Sequence, residues 1–246
     1  MPDEKAYLYQ IVQTIGSGPD LDSILHGIVR VVTEATGCHA CFIYFVQGDR
    51  LALRAASSVY AHLEGKVTLP VGEGLAGWAV KTRRSAFIKE NALEDPRVVY
   101  LPELEEERFQ SLVSVPMFGR SGEVLGVISL HAEAPHEFDR ADLDFLEHTA
   151  SLVAGAVENA RLYEDATARV ELLTNLSRLA QRIGSAQSID DLLPTVAAGC
   201  RDLLGAERCE IYLLDDGGQL NRRAASPGSP ARAVLDTRRL WLDALG

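Results

Sequence analysis

Ala40-Cys41-Phe42-Ile43-Tyr44-Phe45-Val46-Gln47, then Gly48-Asp49, then Leu51-Ala52-Leu53-Arg54-Ala55-Ala56-Ser57-Ser58, is the stretch on which the fold turns. Its first run is rich in β-branched and aromatic residues, Gly-Asp suits a tight turn, and the second run supplies a partner, so it predicts an antiparallel hairpin. Side chains alternate along a strand. Cys41, Ile43 and Phe45 therefore share one face, and Phe42, Tyr44 and Val46 share the other.

Before the hairpin, Tyr7 to Ile15 reads as a short helix and Gly16 to Asp20 as a turn. Leu21, Ile24, Leu25, Ile28, Val31 and Val32 then keep helical spacing up to Gly37. After it come a strand over Lys66 to Val71, a short helix over Leu75 to Thr82 and a strand over Ser85 to Lys89. The acid-rich stretch from Asn91 to Arg108, with Pro96 and Pro102, reads as an irregular surface lid. Two strong strands, Ser111 to Phe118 and Val124 to Ala132, flank a turn at Ser121-Gly122. The class is α+β, an antiparallel sheet with helices at both ends of the pattern.

Asp139 to Asp142 opens a long helix with a capping pattern, and Leu146, Ala150, Val153, Val157 and Ala160 follow at coiled-coil spacing. Leu172, Leu176, Leu179 and Ile183 resume that spacing after a slip of phase across Leu162 to Val170. No proline interrupts Arg140 to Ile183, so one helix of roughly 65 Å is expected.

The hairpin recurs. Ile15-Gly16-Ser17, Leu21-Asp22, Gly37, Cys41 and Ile43-Tyr44 return 168 residues later as Ile183-Gly184-Ser185, Ile189-Asp190, Gly205, Cys209 and Ile211-Tyr212. One inserted residue further on, Arg54-Ala55-Ala56-Ser57 matches Arg223-Ala224-Ala225-Ser226. A fixed offset with shared turn and core residues indicates a duplicated domain. The second copy is expected to be incomplete, two helices and one hairpin, before Pro227-Gly228-Ser229-Pro230 and Leu240-Trp241-Leu242. The expected layout is a first domain over 1–165, a long signalling helix over 140–184 that overlaps both copies, and a truncated second domain over 174–246.

With 246 residues, 47% of them hydrophobic, the chain has room for one or two ordinary domains with a sizeable core. A net charge of -11 disfavours nucleic acid and acidic membranes, and the basic clusters, Lys81 to Arg84, Arg222-Arg223 and Arg238-Arg239, are short enough to read as solvated surface. No run is long enough to span a bilayer and the first ten residues do not resemble a signal peptide, so a cytoplasmic location is the expectation.

Four runs then converge: Pro70-Val71-Gly72-Glu73-Gly74-Leu75-Ala76-Gly77-Trp78-Ala79-Val80; Ser111-Leu112-Val113-Ser114-Val115-Pro116-Met117; Leu125-Gly126-Val127-Ile128-Ser129-Leu130; and Phe138 with Asp142 and Val157-Glu158-Asn159-Ala160-Arg161-Leu162-Tyr163. Together they resemble the bacterial GAF domain family over about residues 5–165, and the partial copy over about 174–226 looks like a second GAF domain. The resemblance implies a six-stranded antiparallel sheet, helices on one face, a small-molecule pocket on the other, and a terminal helix that pairs in a homodimer and passes a signal to an output domain. On that reading Phe42 and Tyr44 look to the ligand side, with Leu75, Trp78, Phe87, Val113, Ser129 and His131 as further pocket candidates. Leu172, Leu176 and Leu179 form the dimer helix. The expected function is a non-enzymatic sensor of an unidentified small molecule; the alternatives are a ligand-free dimerisation scaffold and a GAF-fold redox enzyme. No cofactor is specified.

Other signals have plainer readings. Gly72-Glu73-Gly74-Leu75-Ala76-Gly77 fits G-x-G-x-x-G, but the fingerprint needs a parallel crossover unit that the neighbouring segments do not supply. Cyclic-nucleotide-binding GAF domains resemble one another in Asn-Lys, Phe and Asp-Glu; the corresponding residues here are His131, Ala132, Phe138, Asp142 and Leu143, so three of the five depart. Cys38-His39-Ala40-Cys41 has metal or redox spacing but no second pair to complete a tetrahedral site, and it is read as structural.

Overall fold

The computed structural model describes residues 4–17, 20–185, 188–226 and 234–235, divided into a unit up to Leu162 and a unit from Tyr163 onward. In the first unit six strands form one antiparallel sheet in the order β3-β2-β1-β6-β5-β4. Their ranges are β1 Ala40–Gln47, β2 Arg50–Ala56, β3 Thr68–Pro70, β4 Ala86–Ile88, β5 Ser111–Phe118 and β6 Val124–Ala132. The expectation of a six-stranded antiparallel sheet holds. β1, the strand read first, is central and pairs with β2 and β6.

Helices α1 (Glu4–Ser17) and α2 (Leu21–Thr36) precede the sheet. The side chain of Asp20 accepts the amide of Ser23 to start α2, and Gly37, at φ 66°, ends it in the left-handed conformation that a Cβ disfavours. Ile11, Leu25, Ile28 and Val32 on these helices pack with Cys41, Ile43 and Phe45 of β1 and with Phe145, Leu146, Ala150, Val153 and Val157 of α4 (Arg140–Ser185). Fully burying side chains of this size is worth roughly 1.5 to 3 kcal/mol each. The seam read from Leu146 to Val157 is thus occupied by the sheet of its own domain.

The opposite face carries a second core, in which Phe42, Tyr44, Leu51, Leu53 and Val127 of the sheet meet Leu75, Ala76 and Ala79 of α3 (Gly74–Thr82). Leu104 and Phe109 belong to this core as well, so the stretch read as a surface lid is anchored by its own apolar side chains. The helices are therefore not confined to one face, because the short α3 packs on the pocket side.

In the second unit α5 (Ile189–Leu204) leads to β7 (Glu210–Leu214) and β8 (Leu220–Ala225). Local details repeat. Ser57 donates its amide to the Cys41 carbonyl and its Oγ accepts the Cys41 amide, each at 2.9 Å; Ser226 and Cys209 make the same pair of bonds at 2.9 and 3.1 Å. Arg54 pairs with Asp22 and Arg223 with Asp190, both at 2.5 Å. The hairpin registers shift at Ile43/Tyr44 and again at Ile211/Tyr212. The expectation of a lone hairpin is corrected by a third strand, β9 (Val234–Leu235), whose pairing of Leu220 with Leu235 matches that of Leu51 with Leu69 in the first sheet. The expected Pro227–Pro230 turn and the Leu240–Leu242 segment lie outside the described residues.

Gly126 of β6 fixes how closely the central strands approach, since a Cβ there would collide with the Tyr44 carbonyl oxygen and the Met117 side chain. Gly126→Ala is expected to destabilise the first unit by about 3 kcal/mol, because a backbone atom cannot move aside as a flexible side chain can. Urea denaturation of the two proteins measures it.

Candidate functional site

The alternation that sends Cys41, Ile43 and Phe45 to the helix side leaves Phe42 and Tyr44 on the other, and the same rule on β6 turns Ser129 and His131 that way. These residues meet the first turn of α3 and the inner side of the lid around a small cavity of about 30 Å³. Its wall contains Tyr44, Leu69, Leu75, Leu112, Ser129 and His131, with Val98, Val99, Leu101 and Glu106 contributed by the lid. That is room for no more than a few water molecules.

Two polar groups define its chemistry. His131 is 5% exposed and stands between the rings of Phe42 and Phe109, with centroids at 4.8 and 5.0 Å, both edge-on. Its Nε2 lies 3.4 Å from Ser129 Oγ, while its Nδ1 has no hydrogen-bond partner. Burial opposes the imidazolium and lowers the His131 pKa to about 3, so the ring is neutral at physiological pH. An unpaired buried polar atom costs about 1 to 3 kcal/mol, so retaining one here calls for a reason beyond packing.

Glu106 is 8% exposed, and its Oε2 accepts the Leu101 amide at 2.8 Å. Burial raises its pKa to about 7, outweighing that hydrogen bond, and neighbouring Glu107 adds to the rise. Left-handed Asn91 (φ 53°) precedes the lid's first helical turn and left-handed Glu105 (φ 50°) immediately precedes Glu106. Non-glycine residues in this conformation hold local strain. Two larger open grooves exist, about 560 Å³ along α2 and about 490 Å³ beside Arg83 to Ser85. Neither contains one of the buried unpartnered side-chain atoms found among the described residues, which are His131 Nδ1 and Thr149 Oγ1.

Of the residues named from sequence, Tyr44, Leu75, Ser129 and His131 line the cavity, and Phe42 packs edge-on against His131 from below. Trp78 lies on α3 against the same core, with the guanidinium of Arg97 5.5 Å from its ring centre. Two assignments are corrected. Val113 belongs to the helix-side core, because pairing with Leu130 of β6 puts it on that face. Phe87 is 38% exposed and alternates with Ala86 and Ile88, which face the second core. Glu106 was missed because it sits in an acid-rich run that reads as solvated; Leu104 and Phe109 on either side were the available sign that this run docks inward.

The glycine fingerprint has a structural account. Gly72 and Gly74 have φ of 100° and 68°, while a Cβ on Gly77 would come within 2.7 Å of the Pro70 carbonyl and 2.9 Å of the Gly72 nitrogen. The Cys38 and Cys41 thiols lie in the helix-side core, away from the cavity, where burial raises both pKa values. Phe138 is also buried in that core. Asp139 and Asp142 accept each other's amides at 2.8 and 3.2 Å at the start of α4.

A GAF domain family model matches residues 18–158, which takes in the six-stranded sheet, the lid, the second core and all of the first core except α1. The chain belongs to the GAF domain family. The GAF domains of the phosphoenolpyruvate-protein phosphotransferases from Coxiella burnetii and Acinetobacter resemble it with TM-scores of 0.62 and 0.58, each at 25% identity, covering 66% of this chain and 97% of theirs. Free methionine-R-sulfoxide reductase from Neisseria meningitidis, in complex with its substrate, shares the fold at a TM-score of 0.55 and 22% identity, covering 65% of this chain and 91% of that one. The cGMP-specific 3',5'-cyclic phosphodiesterase of Drosophila melanogaster is 22% identical over 95% of this chain. This GAF chain spans only 23% of that relative's length.

Glu106 makes the stability of this GAF domain depend on pH. A carboxyl whose pKa rises on folding stabilises the protein in its protonated form, so the contribution is fully present below the unfolded value of 4.5 and is lost as pH rises through about 7. Wild type is expected to lose up to roughly 3 kcal/mol from this source over that interval, and Glu106→Gln is expected to lack the slope. Denaturant titrations at pH 4.5, 6 and 8 compare them.

Proposed function

We propose that this chain is a sensory module in which the cavity beneath the lid takes up a small molecule, and α4 carries the consequence to an output domain outside residues 1–246. The carrying observation is the convergence of Tyr44, Ser129, His131 and Glu106 on one small, partly open pocket, with a buried imidazole nitrogen lacking a partner. A ligand would supply that partner. At about 30 Å³ the cavity holds no more than a few waters, so binding a larger molecule requires the lid to move. The repeated capping, bulge, serine and ion-pair details support reading the unit from Tyr163 as the beginning of a second GAF domain. The buried thiols support a sensor over thiol chemistry, since the reactive species is the thiolate.

The transmitting element in this reading is a homodimer through α4. Leu172, Leu173 and Leu176 are exposed on the helix beyond Leu162. Leu179 is only partly exposed, because it packs against Gly199 of α5, which narrows the free seam to the leucines before it. A second copy covering these side chains would remove apolar surface from water on both helices, worth roughly 1.5 to 3 kcal/mol per fully buried leucine. No described helix is long and apolar enough to cross a membrane. A cytoplasmic setting without direct nucleic-acid binding accords with the charge of -11.

Incubating the protein with cell extract, re-isolating it and examining released small molecules by mass spectrometry tests the sensor. A compound enriched by wild type and lost in His131→Leu is expected; no enrichment would favour the ligand-free dimerisation scaffold. For the seam, Leu172→Glu with Leu176→Glu is expected to weaken association at least ten-fold by sedimentation. A wild-type protein that is monomeric at tens of micromolar would rule out the seam.

A further inference from the structure

We infer that the molecule bound beneath the lid carries a cationic nitrogen, of the amine or amidine class, held by the Glu106 carboxylate and donating a second hydrogen bond to His131 Nδ1. The inference rests on the cavity being the ligand site and adds the ligand's charge. Glu106 accepts a hydrogen bond from the Leu101 amide, and the cavity wall it shares contains no lysine or arginine. The titratable groups facing it are neutral or acidic: Tyr44 from β1, His131 from β6, and Tyr100 and Glu107 from the lid. A buried carboxylate without a counter-ion is costly, and a cation brought by the ligand offsets that cost.

The histidine tautomer points the same way. Ser129 Oγ lies 2.8 Å from Ser114 Oγ and 3.3 Å from the Val113 carbonyl, so its hydrogen has acceptors of its own and its lone pairs are open to His131 Nε2–H. With the proton on Nε2, Nδ1 is an acceptor. Glu106 on the lid and His131 on β6 thus offer two acceptors to the same cavity, which suits a ligand that presents N–H donors. The first turn of α3, Gly74 to Ala76, also reaches the cavity, and a helix N-terminus favours anions. That end amounts to about half an elementary charge, against the full charge of an ionised Glu106.

Benzamidine, benzamide and benzoate have nearly the same shape and carry charges of about +1, 0 and -1 at neutral pH. Each is titrated at millimolar concentration into the whole ¹⁵N-labelled chain at pH 8, following the amides of Leu101, Ser129 and His131. Benzamidine is expected to shift these amides and the other two are not. Binding should weaken roughly ten-fold on going from pH 8 to pH 6, because Glu106 takes up its proton, and at least ten-fold in Glu106→Gln, which retains an acceptor for the Leu101 amide. The pH series on wild type stands alone should that variant fail to fold. Equal shifts from benzamide or benzoate, or benzamidine shifts unchanged at pH 6, overturn the charge assignment and leave the ligand site intact. No shift at these amides with any of the three overturns both.

Discussion

Everything in the first unit depends on β1 being covered on both faces. A strand at the centre of an antiparallel sheet has its backbone groups paired on both edges, so what remains is to remove two sets of side chains from water. Ile43 and its neighbours do this against α1, α2 and α4, and Phe42 and Tyr44 against α3 and the lid. The two cores differ in kind. The first is sealed by regular helices at ordinary packing. The second is closed partly by the short helix α3 and partly by irregular backbone, and an irregular cover moves at lower cost than a packed helix.

That asymmetry locates the chemistry. On the helix side, burial makes the cysteines inert. Beneath the lid, burial acts on His131 and Glu106 in opposite senses, lowering the basicity of one and the acidity of the other, so both favour the uncharged form. These two groups, with His131 Nδ1 left unpartnered, are what the proposed ligand would meet. α4 runs in sequence from the first unit into the second. Its first turns are buried on the sheet, while Leu172, Leu173 and Leu176 remain exposed.

The sequence by itself determined the elements and the two faces of β1. Helix periodicity and strand alternation are local properties, and Gly48-Asp49 and Gly122 mark turns whose geometry few other residues adopt. The repeated serine, arginine and aspartate positions were legible for the same reason, because each is set by spacing within one supersecondary unit. Tertiary structure alone decided which face β4 and β5 present, since that depends on the register of each strand against its neighbour; Phe87 and Val113 were misplaced on that account. It also decided that an acid-rich stretch folds inward, because burying Leu104 and Phe109 draws Glu106 under with them against the preference of its charge. A local pattern records what a residue prefers. Where preferences conflict along one short segment, the outcome is set by the surface it packs against.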